Sequence, residues 1–264
     1  MINLGELKGK FEIKITEKII FFLCATVNFV LGLGLIVSAI LVKLGILYNK
    51  NLEKTGVILL IGLGILATEL VCQFFYKKLV KSAGKYEIYE KGYKDILNDK
   101  EYLYKNINEY YRAEWISRHS TKYLIVENSG DTTTFSSNLN NKVFKTFTDN
   151  YIKDVLQEKV QVIKNDGVIE KFEVIDNVFK ASTKKQFLKL LEKYKVEFEV
   201  EVSNYGIKIK DEFYNWNEIK EVKRSKIADM LQIIDNNGKK VFNKTMMRIK
   251  NAELLEELIR EFIK

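Results

Sequence analysis

The residue in this chain with the clearest chemical potential is a carboxyl in an apolar setting. Glu69 is the one charged residue between Gly56 and Tyr76, and Asn28 lies in the uncharged run Ile19–Val42. Gln73 follows Glu69 by one helical turn. A carboxyl surrounded by hydrocarbon is costly, and it marks a partner, a proton path or an ion path. Measured along two helices from the same end, Asn28 falls about 13 Å deep and Glu69 about 10 Å. Two readings follow: an ion or proton site at Asn28 and Glu69, or a hydrogen-bonded contact that glues two helices. Two helices alone cannot enclose a path, which favours the glue. The single histidine, His119, sits in the polar stretch Ser117-Arg118-His119-Ser120 and reads as a solvated side chain before it reads as a base.

Other chemistry is sparse. The chain has no Gly-x-Ser-x-Gly elbow, no glycine-rich phosphate loop before Lys-Ser/Thr and no His-Glu-x-x-His. The two cysteines, Cys24 and Cys72, both lie in the apolar runs, so a disulfide scaffold and a His/Cys zinc cluster are excluded for the rest. No catalytic residue, metal or cofactor is expected, and the protein reads as a non-enzyme. The most suggestive surface feature is basic: Lys220, Lys223, Arg224 and Lys226, with Lys239 and Lys240 beside the turn Asn236-Asn237-Gly238. With a net charge of +8, these side chains are candidates for contact with anionic lipid, each lysine near such a surface adding about 1 kcal/mol. Interspersed Glu218, Glu221 and Asp229 fit a solvated mixed-charge face equally well. Nucleic acid is not expected, because no aromatic-rich basic groove is evident.

The elements that position these residues begin with the apolar runs. Ile19–Val42 has 24 residues and Gly56–Tyr76 has 21; at 1.5 Å per residue each covers a hydrocarbon core of roughly 30 Å. The link Lys43–Thr55 is short, so residues 19–76 predict a transmembrane helical hairpin after a short N-terminal segment, residues 1–18. That segment alternates at Phe11, Ile13 and Ile15, as a strand or an interfacial lead-in would. Lysines 8, 10, 14 and 18 before the hairpin and 77, 78, 81 and 85 after it place both termini in the cytoplasm. The first run is too long for a signal-peptide core. Gly32 and Gly34 lie about 20–22 Å deep and Gly62 and Gly64 about 18–21 Å. These notches either face each other or form a self-association face for a homo-oligomer.

Past Lys85 the texture changes to short β-patterned runs with Gly/Asn turns, the clearest strand being Val196–Val202. Two stretches match: Tyr104, Ile107, Glu109 and Arg112 in one and Trp216, Ile219, Glu221 and Arg224 in the other fall at the same offsets, with Gly92 and Gly206 upstream of each. Each is followed by strand patterns and a closing amphipathic helix, in the second case with Asn251 as N-cap and Glu253 in its first turn. A hairpin around Asp166-Gly167 and a helix at Thr183–Lys195 are expected between them.

The layout of Gly, aromatic-x-x-Ile, Asn-x-Gly and helix resembles bacterial pleckstrin-homology-like (PH-like) domains of two-span membrane proteins, present here in tandem over roughly Lys85–Lys264. Trp216 and Ile219 carry the resemblance, and the first copy departs from it with Tyr104. It implies a bent antiparallel sheet capped by a helix, at residues 77–159 and again at 160–264. The molecular role of that family is largely unassigned. The expected fold is therefore membrane-anchored α+β, with the hairpin followed by two PH-like β domains. The expected function is a non-catalytic binding or scaffolding module at the bacterial inner membrane, with cytoplasmic domains that take a protein partner or anionic head groups. The alternative is a small transport or channel subunit using Glu69 and Asn28.

Overall fold

The structure is a computed structural model and describes residues 2–12, 15–44, 55–115, 122–136, 142–176, 179–181, 194–225 and 229–264. It is α+β, with two apolar N-terminal helices and several antiparallel sheets. Two compact units result: Ile13–Ala83 forms one, and Met1–Glu12 with Gly84–Lys264 forms the other.

The helical unit is the hairpin of α1 (Ile15–Lys43) and α2 (Thr55–Ala83). Both helices are long and apolar enough to cross a membrane, and only 6% and 11% of their most apolar windows are buried. Core helices of a soluble protein are mostly buried; here most of the apolar surface is left uncovered. The buried residues repeat every seven positions: Ala25, Gly32 and Ala39 on α1, and Thr55, Gly62 and Glu69 on α2. That spacing is the seam of a left-handed pair, and small residues let the two backbones close in. A Cβ on Gly62 would lie 2.9 Å from the Gly32 carbonyl oxygen, and one on Gly32 would lie 2.8 Å from Leu66. Gly34 and Gly64 meet nothing within 4 Å.

The body begins before the hairpin. Strand β1 (Leu7–Phe11) pairs antiparallel with β2 (Tyr86–Tyr89), with Phe11 opposite Tyr86. The segment ahead of the first span is thus a strand of the body, and the hairpin is an insertion between two paired neighbours. With β3 (Gly92–Asp95) and β4 (Lys100–Leu103) they form a four-stranded meander in the order β1-β2-β3-β4. A 3-10 turn at Tyr104–Asn106 leads to β5 (Ile107–Trp115), β6 (Lys122–Asn128) and β7 (Asp131–Ser136), and α3 (Val143–Asp166) closes the set.

The same order follows again. Strands β8 (Glu170–Ile175), β10 (Val196–Val202), β11 (Gly206–Ile209) and β12 (Glu212–Asn215) form the second four-stranded sheet. A 3-10 turn at Trp216–Glu218 leads to β13 (Ile219–Ser225), β14 (Met230–Asp235) and β15 (Lys240–Thr245), and α4 (Ala252–Phe262) closes it. Between β8 and β10 lies β9 (Phe179–Ala181), which joins the first half and pairs parallel with β5.

The residues paired between the two stretches occupy matching places. Gly92 and Gly206 each start the third strand of a meander, where an added Cβ would meet the carbonyl of Tyr102 at 2.0 Å or of Tyr214 at 2.1 Å. Tyr104 and Trp216 each open the 3-10 turn and pack on an aromatic of the closing helix. The ring of Tyr104 is 5.5 Å from Phe147, and that of Trp216 is stacked on Phe262 at 5.1 Å. Bulges fall at Ile107/Glu109 and Ile219/Glu221.

Three local expectations change. Helix α3 runs through residues 159–160, where a domain boundary was expected. Asp166-Gly167, expected as a hairpin turn, is instead the end of that helix, with Gly167 in the left-handed conformation that ends helices. Asn251 stands at the start of α4, but its side chain makes no capping bond. Nearly all of Thr183–Lys195 lies outside the described residues.

The seam makes a differential prediction. Gly32→Leu or Gly62→Leu should cost about 1–3 kcal/mol by overpacking, whereas Gly34→Leu and Gly64→Leu should be tolerated. Thermal unfolding of the four variants in detergent micelles measures this.

Candidate functional site

Within the hairpin the polar residues gather at one level. The Asn28 Nδ2 donates to Glu69 Oε2 at 3.1 Å, and the Gln73 Nε2 donates to Glu69 Oε1 at 3.2 Å. Both carboxyl oxygens are engaged, and Glu69 is only 4% exposed. Two turns further along α2, Tyr76 stacks on Phe21 with ring centroids 3.8 Å apart. The arrangement can tie two helices in register; it has the geometry of a clamp closed on itself.

The densest polar chemistry of the body was not visible in the sequence. Lys250 is buried, and its Nζ reaches Glu109 on β5 at 2.6 Å, Glu173 on β8 at 2.8 Å and the Tyr194 hydroxyl at 2.5 Å. Burial opposes its charge, but bonds to Glu109, Glu173 and Tyr194 outweigh that and hold its pKa above the ordinary lysine value. Glu109 is held above the usual carboxylate range because its own burial outweighs the attraction of Lys250.

One residue on, Asn251 adopts φ 53° and ψ 37°. Its Oδ1 accepts from the Tyr110 amide at 2.7 Å, and its own amide donates to the Tyr110 carbonyl at 2.8 Å. This explains the missing cap: the asparagine side chain mimics a strand backbone on the edge of β5. The equivalent arginines of the two halves meet beside it. Arg112 bonds Asp229 at 3.2 Å and also Glu253, while Arg224 bonds Asp229 at 2.6 Å and lies 3.9 Å from Glu253. The Tyr110 hydroxyl donates to Glu253 at 3.1 Å. These groups lock one half to the other. Arg112, Arg224 and Glu109 were legible as matched offsets; nothing in the pattern marked Lys250.

The basic residues separate into two groups. Lys223 pairs with Glu221 at 3.0 Å, and Arg224 is held by Asp229. Lys220, Lys239 and Lys240 are exposed and have no ion-pair partner among the described residues. Lys226 and His119 lie outside the described residues. A shallow cleft of about 330 Å³ lies between the β11–β12 turn and β15, lined among others by Phe198, Lys210, Tyr214 and Lys244. Its cations are already engaged: Lys210 and Lys244 stand 4.9 Å and 5.5 Å from the centroid of Phe198, and Lys244 pairs with Glu197 at 2.7 Å. Among the described residues no group of three or more His, Cys, Asp or Glu is arranged to hold a metal.

No protein-family model matches the chain, and no curated protein matches it.

Removing one partner of a buried charge set leaves the others uncompensated. Lys250→Met should therefore lower stability by about 3–5 kcal/mol at neutral pH. Glu109 binds its proton more readily folded than unfolded, so in the variant protonation relieves the stranded carboxylates. The deficit should then shrink as pH falls from about 7 toward about 5. Thermal unfolding of wild type and variant in micelles at both pH values checks the sign.

Proposed function

We propose that this protein is a membrane-anchored, non-catalytic binding or scaffolding module, with a body made of two PH-like domains in tandem on the cytoplasmic side of a bacterial inner membrane. The observation that carries the reading is the pairing of Phe11 with Tyr86 across the inserted hairpin. A body joined through two adjacent strands to both ends of an apolar hairpin is tied to that hairpin by two covalent links, which suits a membrane-held platform. The repeated order of four-stranded meander, 3-10 turn, three-stranded meander and helix supports the PH-like assignment. The use of these charges supports a non-catalytic role: buried Lys250 and Glu253 and half-buried Glu109, Glu173 and Arg112 are turned on one another between the halves, and none of them lines the cleft beside β15. Its ligand is a protein partner or an anionic head group.

The second reading, a transport or channel subunit, draws on the Asn28–Glu69–Gln73 cluster. Glu69→Gln decides between the two. A scaffold reconstituted in liposomes should show no ion or proton flux with either residue and should unfold within about 1 kcal/mol of wild type, because the glutamine oxygen accepts one bond and its amide donates to the other neighbour once that neighbour's amide turns its oxygen inward. Flux in wild type that the variant abolishes would establish the second reading. A tag after Lys264 that is accessible in intact cells would overturn the cytoplasmic assignment.

A further inference from the structure

The two halves treat one equivalent sheet edge differently. In the first half the outer edge of β5 is closed. Asn251 pairs with both backbone groups of Tyr110, and β9 pairs with Ala113–Trp115. The addition is matched in charge, since Lys250, next to Asn251, sits on Glu109 of the same strand. In the second half β13 holds the corresponding place. Val222 lies opposite Ile233 as Tyr110 lies opposite Val126, each after an equivalent bulge. The antiparallel pattern therefore turns the amide and carbonyl of Val222 and Arg224 outward. β13 is the edge of its three-stranded sheet, and no backbone hydrogen bond from the described residues reaches that edge.

We propose that the outer edge of β13 is the docking site for an extended, acidic strand of a partner polypeptide, added to the sheet as Asn251 and β9 are added to β5. This deepens the scaffold reading and rests on it. Two observations select the occupant. The backbone edge calls for a strand, because its unpaired groups repeat at strand spacing and the chain itself fills the equivalent edge with extended backbone. The side chains call for acid. Exposed Lys220 has no ion-pair partner among the described residues; the strand carries Lys220, Lys223 and Arg224 against Glu221, with exposed Lys223 paired to Glu221 and Arg224 held by Asp229. On the closed edge the matching positions are Asn108, Tyr111 and Arg112, so Lys220 and Lys223 are the cations peculiar to the β13 edge.

The experiment uses the full chain in neutral-lipid nanodiscs and a labelled peptide of about seven residues, the length of β13, alternating valine with glutamate. A control peptide carries lysine for glutamate, and soluble glycerophosphate stands for a lipid head group. The acidic peptide should bind, slow amide exchange at Val222 and Arg224, and lose affinity with added salt. The exposed pair Lys220→Glu/Lys223→Glu should weaken it about tenfold and admit the lysine peptide. Val222→Pro, with its fold checked by circular dichroism, should abolish binding by removing the edge amide. Several outcomes would each overturn strand docking: no binding up to about 1 mM peptide, equal binding of both peptides, binding that the charge-reversed pair leaves unchanged, or protection of these amides by glycerophosphate and not by peptide. In any of those cases the scaffold reading still stands or falls on the flux and tag experiments.

Discussion

Everything in this protein is arranged around one pairing, that of β1 with β2 across an inserted hairpin. Loop-closure entropy grows slowly with length, so a long excursion between paired strands costs little more than a moderate one. The excursion is also ordered in itself, because each helix satisfies its own backbone and the seam of Ala25, Gly32, Ala39, Thr55, Gly62 and Glu69 holds the two together. The same junction in the second half, between β8 and β10, holds β9, which crosses to the first half. In each half, the connection after the first strand is where the chain adds something to the basic meander: a hairpin in one, a stitch between halves in the other.

That stitch is built from charge as much as from apolar contact. Tyr111, Ala113, Ile125 and Ile175 form a buried cluster that draws on both halves, with Tyr194 packed against it. Lys250 stands at its border, 4.4 Å from the ring centroid of Tyr194 and 5.8 Å from that of Tyr111. Buried ion sets of this kind add little net stability when intact and cost much when broken, so their value lies in admitting one arrangement of the halves. A lysine displaced from Glu109 and Glu173 would strand two carboxylates at once.

Much of this was legible beforehand because it rests on local rules. The apolar runs, the depth match of Asn28 with Glu69, the strand Val196–Val202, and the shared spacing of Tyr104, Ile107, Glu109 and Arg112 with Trp216, Ile219, Glu221 and Arg224 all follow from periodicity, rise per residue and residue spacing. Other features were not. Asn251 has the residue type and position of an N-cap, and its side chain serves another strand because a long-range backbone edge competed for it. Asp166-Gly167 has the composition of a hairpin turn, and it ends a helix because α3 continues to bury Val160 and Ile163. Gly34 and Gly64 share the type and spacing of Gly32 and Gly62, but they lie off the seven-residue seam, which sequence spacing alone did not distinguish.

The sequence by itself determined two membrane-length apolar helices, a polar match between them and a doubled strand-and-helix pattern, because hydrophobic length and period are properties of contiguous residues. Tertiary structure alone decided that a strand precedes the hairpin and pairs beyond it, that Lys250 closes one half on the other, and that one sheet edge is covered while its counterpart takes no backbone bond from the described residues. Each of those depends on residues far apart in the chain meeting in space, through backbone hydrogen bonds and buried charge that no local pattern encodes.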